Sequence, residues 1–130
     1  MEYLTIEDIL RIREQIGADY GDRFEVMSMN GLLSALAAPR RSAFGAEVFQ
    51  SLPEKAGALV YSLIQNHPFW DGNKRIATAA LQLFLERNSA RLLTDARRLK
   101  GFTIAIASGR LRDEALVAWL NERIENLGSQ

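Results

Sequence analysis

The 130 residues contain no cysteine and a single histidine. The first absence excludes disulfides, thiolate nucleophiles and cysteine zinc sites, and the second excludes histidine-rich metal centres. An excess of charge of either sign is also missing, because sixteen Lys and Arg balance sixteen Asp and Glu. With no net positive field to release counterions from a nucleic-acid backbone or to draw the chain to an anionic membrane, neither is expected as a direct partner. Apolar runs fall short of the roughly 18 residues that a spanning helix needs. Met1-Glu2-Tyr3-Leu4 starts neither a basic segment leading into an apolar run nor a small-residue cleavage site. A soluble, cytoplasmic protein is expected, with its specificity in a shaped local site.

What is present suits one domain spanning 1–130, with 48% hydrophobic and 25% charged residues. The apolar spacing is helical almost throughout. Thr5, with Asp8 three residues on, caps a helix through Ile9, Ile12 and Ile16 that Gly17 is expected to end. An irregular connector is read over 18–29. Asn30 is read as the cap of a short helix that Pro39 stops. Residues 40–50 form a loop in which Phe44-Gly45 and Glu47-Val48-Phe49 suit a short extended, flap-like piece.

Ser51-Leu52-Pro53-Glu54 is a capping box with proline in the first turn, opening a helix that Pro68 should end near Asn66. A turn over 67–72 leads into a second apolar-rich helix over 73–87, broad enough in its apolar face to be central. Thr94-Asp95 caps a further helix toward Gly109, and Asp113 opens a last one over 114–127. The expected fold is all-α, a compact bundle of about six to seven helices with one flap-like segment.

Chemistry concentrates in His67-Pro68-Phe69-Trp70-Asp71-Gly72-Asn73-Lys74-Arg75. The first N–H groups of the helix that follows lack internal partners, and its dipole favours an anion such as phosphate. Lys74 and Arg75 can add charge-assisted bonds to that anion, and Gly72 lets the backbone approach it. Asp71, the one carboxylate of the loop, is the kind of ligand Mg²⁺ takes beside phosphates. His67 can serve as general base toward a hydroxyl. Taken singly, each residue also has a plainer reading: His67 as a capping or buried polar group, Asp71 or Asn73 as an N-cap, Lys74 and Arg75 as solvated charges, Phe69 and Trp70 as packing.

The run HPFWDGNKR is similar to the active-site motif of the Fic/Doc family, H-x-F-x-D/E-G/A-N-G/K-R, and matches it at every defined position. The likeness continues through Leu4-Thr5-Ile6-Glu7-Asp8-Ile9-Leu10, Gly31-Leu32-Leu33-Ser34-Ala35-Leu36, Phe44-Gly45 and Glu54-Lys55-Ala56. The resemblance implies a helical fold that uses ATP and Mg²⁺, with His67 as base, Asp71 as the Mg²⁺ ligand, and Gly72, Asn73, Lys74 and Arg75 as the phosphate cradle. Phe69 would anchor the loop in the core.

Adenylylating members resemble G-N-G-R-x-x-R, where this chain has Lys74 and Thr78. Lysine at the first of these positions is the death-on-curing pattern. It implies a toxin that acts as a kinase on a target protein, by analogy a translation elongation factor, and that an antitoxin neutralises. Pro68 and Gly72 sit closer to the adenylylating members, which keeps adenylyl transfer as the alternative, and a catalytically idle partner-binding module as the third. No Ser/Thr-x-x-x-Glu-Gly/Asn run is found, so control in trans is expected.

Overall fold

A computed structural model describes residues 1–20 and 25–128. Six α-helices occur among them: α1 (Ile6–Tyr20), α2 (Met29–Ala37), α3 (Leu52–Gln65), α4 (Asn73–Arg87), α5 (Ala96–Ala107) and α6 (Asp113–Asn121). The strands are two short antiparallel pairs, β1 (Ser42–Ala43) with β2 (Ala46–Glu47), and β3 (Ala90–Leu92) with β4 (Ile124–Asn126). The expected helical bundle with a small flap is what the chain forms. No helix of the described residues is long and apolar enough to cross a membrane.

The core lies between α3 and α4. Leu59, Val60 and Leu63 of α3 and Ile76, Ala77, Ala80 and Leu81 of α4 are buried. α3 packs on α2, α4, α5 and α6, and α4 on α1, α3, α5 and β3. Gly57 lets α6 approach closely, because a Cβ there would lie 2.9 Å from Leu116 Cδ2. The Ser51 capping box is formed as read: the Ser51 hydroxyl accepts from the Glu54 N–H, and the Glu54 carboxylate accepts from the Ser51 N–H. Asp95 caps α5 by accepting from the Arg98 N–H at 2.8 Å.

Three boundaries differ from those the sequence suggests. α1 runs past Gly17 to Tyr20. A single helical glycine costs only about 1 kcal/mol, and Ile16 beside it packs against the core. The connector read over 18–29 is therefore partly helix and falls partly on 21–24, outside the described residues. The cap of α2 is Ser28, not Asn30: Ser28 is extended and its hydroxyl accepts from the Gly31 N–H at 3.0 Å. The last helix stops at Asn121 and not at 127, because Ile124–Asn126 pairs with Ala90–Leu92. Backbone bonds from Leu93 N–H to Arg123 C=O and from Leu127 N–H to Ser89 C=O close both ends of that pair.

The flap is a hairpin turning at Phe44 and Gly45, whose φ angles of 53° and 80° suit the two-residue turns that follow strand twist. Beyond the named strands Val48 N–H still donates to Arg41 C=O at 2.9 Å, and Phe49 falls outside the hairpin. Its base is tied down by Lys55, a buried lysine whose ammonium donates to Pro39 C=O and to the Glu47 carboxylate, both at 3.1 Å. Burial works against that charge, but the Tyr3 hydroxyl and the Glu47 carboxylate outweigh it and hold the lysine above its ordinary pKa.

A second tie joins α1 to α4. Arg87 grips Asp8 with bonds of 2.6 and 2.7 Å, and Thr5 donates from its N–H and hydroxyl to the same carboxylate. The bonds from Arg87 are the main cause that lowers the Asp8 carboxyl from 3.8 to about 2. A depressed folded-state pKa means stabilisation that is present at neutral pH and lost as pH falls from about 4 toward 2. Acid titration is expected to remove roughly 2 kcal/mol at this site. Denaturation midpoints measured from about pH 5 down to about 2 should show the drop in wild type and much less of it in Asp8→Asn.

Candidate active site

The segment joining α3 to α4 is held from two sides. On one, Trp70 N–H donates to Glu25 C=O at 2.9 Å, and the Pro68 C=O accepts from the N–H groups of Met27 and Ser28 at 2.8 and 3.0 Å. This bridge sets Val26 opposite Phe69 and turns the Phe69 amide and carbonyl the other way. There Asn73 meets both, its Oδ1 accepting from the Phe69 N–H at 3.0 Å and its Nδ2 donating to the Phe69 C=O at 2.9 Å. The Phe69 ring is fully buried. Asn66, at the end of α3, adds a bond to Gly31 C=O at 3.0 Å.

Gly72 starts α4 in the left-handed region at φ 77°, where a side chain would be strained. No side chain caps the helix. Asp71 accepts from the Gly72 N–H at 2.8 Å and is otherwise exposed, so neither Asp71 nor Asn73 is the N-cap. The α4 start and its dipole face a cavity of about 810 Å³, lined on this side by Asp71, Gly72, Asn73, Lys74, Arg75 and Thr78.

The sequence-predicted residues thus fall in two groups. Asp71, Gly72, Asn73, Lys74 and Arg75 share one cavity. His67 does not line it. It is exposed at the end of α3, in the left-handed region at φ 47°, with its side chain making no hydrogen bond among the described residues. Asn73 is nearly buried with both side-chain polar groups bound to Phe69, so only its backbone N–H is left for an anion.

Sequence reasoning missed the opposite wall. Thr94, Asp95, Leu99, Lys100 and Thr103, around the start of α5, line the same cavity. Thr94-Asp95 reads from sequence only as a helix cap, and no local motif marks Lys100. No cluster of three or more His, Asp or Glu able to hold a metal occurs among the described residues. Asp71, beside an uncapped helix start, fits Mg²⁺ bound together with a phosphate ligand, since that ion needs only one or two carboxylates and completes its shell with phosphate and water. It does not fit a free-standing metal site.

The sequence model of the Fic/DOC family matches residues 3–85. This includes the whole loop and α4 as far as Leu85, and excludes α5. The chain is also similar to Toxin Doc of Mycolicibacterium smegmatis, with 37% identity over 94 residues, 72% of this chain and 70% of that protein.

Proposed function

The chain belongs to the Fic/DOC family, and on that premise we propose that it is a Doc-type toxin that transfers the γ-phosphate of Mg-ATP to a hydroxyl of a target protein. The observation that carries this reading is the uncapped start of α4, facing a cavity that Asp71, Lys74 and Arg75 also line. The N–H groups of that first turn and the two cations receive the phosphate chain. Asp71 would hold Mg²⁺, which supplies charge neutralisation to the phosphates. His67 takes the proton of the target hydroxyl as its oxygen bonds to the γ-phosphorus. The bond to the β–γ bridging oxygen breaks and ADP leaves. Little covalent work falls to the protein, so position and charge decide the outcome.

The relative's name supports a toxin, and by family likeness an antitoxin protein neutralises it. By family likeness the target is a translation elongation factor and the setting cytoplasmic, with one catalytic domain over 1–130. Adenylyl transfer is the second reading, favoured by Pro68 and Gly72. Lys74 separates the two, because it places a positive charge and bulk where adenylylating members carry glycine, and so seats the triphosphate with its γ-phosphate toward the hydroxyl.

Incubation with Mg²⁺ and ATP labelled at the α- or γ-phosphate, in a bacterial lysate, tests the class. Label from the γ position alone is expected on protein. Label from the α position overturns the kinase reading, and no label from either leaves an idle binding module. Lys74→Gly is expected to lose the γ transfer. Asp71→Asn exchanges an anionic ligand for a neutral one, and is expected to need on the order of tenfold more Mg²⁺ for half-maximal rate. An unchanged Mg²⁺ dependence would remove Asp71 from the metal.

A further inference from the structure

We propose that Lys100, on α5, is a second-wall cation that holds the phosphate chain of the nucleotide across the cavity from α4. It supplies there a charge that α4 does not provide beyond its first turn. The inference rests on the nucleotide reading above and concerns a residue outside the segment matched by the family model.

Three observations carry it. Lys100 lines the same cavity as Lys74 and Arg75, but from α5. Its ammonium has no hydrogen-bond or ion-pair partner among the described residues. The acid beside it on that wall is already engaged: Asp95 accepts from the Arg98 N–H at 2.8 Å with one oxygen and from the Arg98 guanidinium at 2.9 Å with the other. The start of α5 is thus closed by its own cap, and what this wall offers an anion is the positive charge of Lys100, which no acid of the described residues neutralises.

Position 78 explains why the charge is wanted. Thr78 stands one turn beyond Lys74 on the same face of α4 and lines the cavity with a neutral hydroxyl. A cation from the facing helix balances the phosphates on the side that α4 leaves uncharged. The same wall holds the Thr94 hydroxyl oxygen, the one buried side-chain polar atom found without a hydrogen-bond partner among the described residues. Such an atom is costly unless a ligand or water meets it.

The test is calorimetric binding of Mg-ADP and of a non-hydrolysable Mg-ATP analogue to the full chain. Lys100 is exposed, so Lys100→Ala should fold as wild type does. It is expected to weaken both ligands about tenfold, in line with loss of one charge-assisted contact, and to flatten the salt dependence of binding. Lys100→Arg should stay within about threefold of wild type. Adding Thr78→Arg to Lys100→Ala should recover most of the loss, which a merely structural role for Lys100 would not allow. Wild-type affinity in Lys100→Ala, or a loss that neither arginine restores, overturns the inference. Wild-type protein that binds neither ligand overturns the nucleotide reading along with it. If nucleotide binds through Lys100 but the α label is transferred, the kinase reading fails and Lys100 keeps its role.

Discussion

His67→Ala is expected to lower transfer to the target by roughly 10²–10⁴-fold, the contribution of a positioned general base, while the fold survives. The side chain is exposed and makes no hydrogen bond among the described residues, so its removal opens no cavity and strands no buried partner. The backbone is the one complication. At φ 47° the residue occupies the left-handed region, which histidine tolerates better than alanine does and glycine better than either. His67→Ala should therefore lose about 1 kcal/mol of stability. His67→Gly separates the two effects, since it relieves the backbone and still lacks a base. Both variants are expected to be inactive in single-turnover assays, with Gly the more stable in thermal melts. Transfer at wild-type rate in either one sinks the assignment of His67 as base.

The second large effect lies at Asn73, and it is a stability effect. Asn73→Ala leaves the Phe69 N–H and C=O without the partners they have now, both in a buried place. Each unpaired buried group costs about 1–3 kcal/mol, so a loss of roughly 2–5 kcal/mol is expected, read as a lower denaturant midpoint with an unchanged slope. Asn73→Asp should recover part of it, because a carboxylate can accept from the Phe69 N–H but cannot donate to the carbonyl. Wild-type stability in Asn73→Ala would mean that the clamp contributes nothing. From sequence this residue reads as part of the phosphate cradle or as a helix cap, whereas its side chain instead shapes the loop that presents the cradle.

What could be read in advance follows the range of the interaction responsible. Ser51, Glu54 and Asp95 act on residues three or four positions away, and their helices begin where the sequence places them. The α4 limits, Asn73 and Arg87, were likewise legible, because Gly72 and the apolar period both lie within the segment. The end of α6 was not, since it is decided by Ala90–Leu92, a strand far away in the chain. The residues of the candidate loop over 67–75 divide in the same way. Lys74 and Arg75 announce an anion, and Asp71 a cation, by residue type alone. The pairing of Phe69 with Val26, and the arrival of Lys100 on the facing wall, depend on how distant helices pack.

The backbone bridge between Val26 and Phe69 also bears on the order in which the molecule becomes competent. It joins segments well separated in sequence, so the closure entropy is recovered only once α2 has settled on α3. The loop over 67–72 is thus expected to close late, and a partial opening that frees residues 25–28 is expected to release it while the α3–α4 core stays intact. In hydrogen exchange, the amides of Met27, Ser28 and Trp70, which make these bonds, should then open as one unit, ahead of those in the middle of α3 and α4.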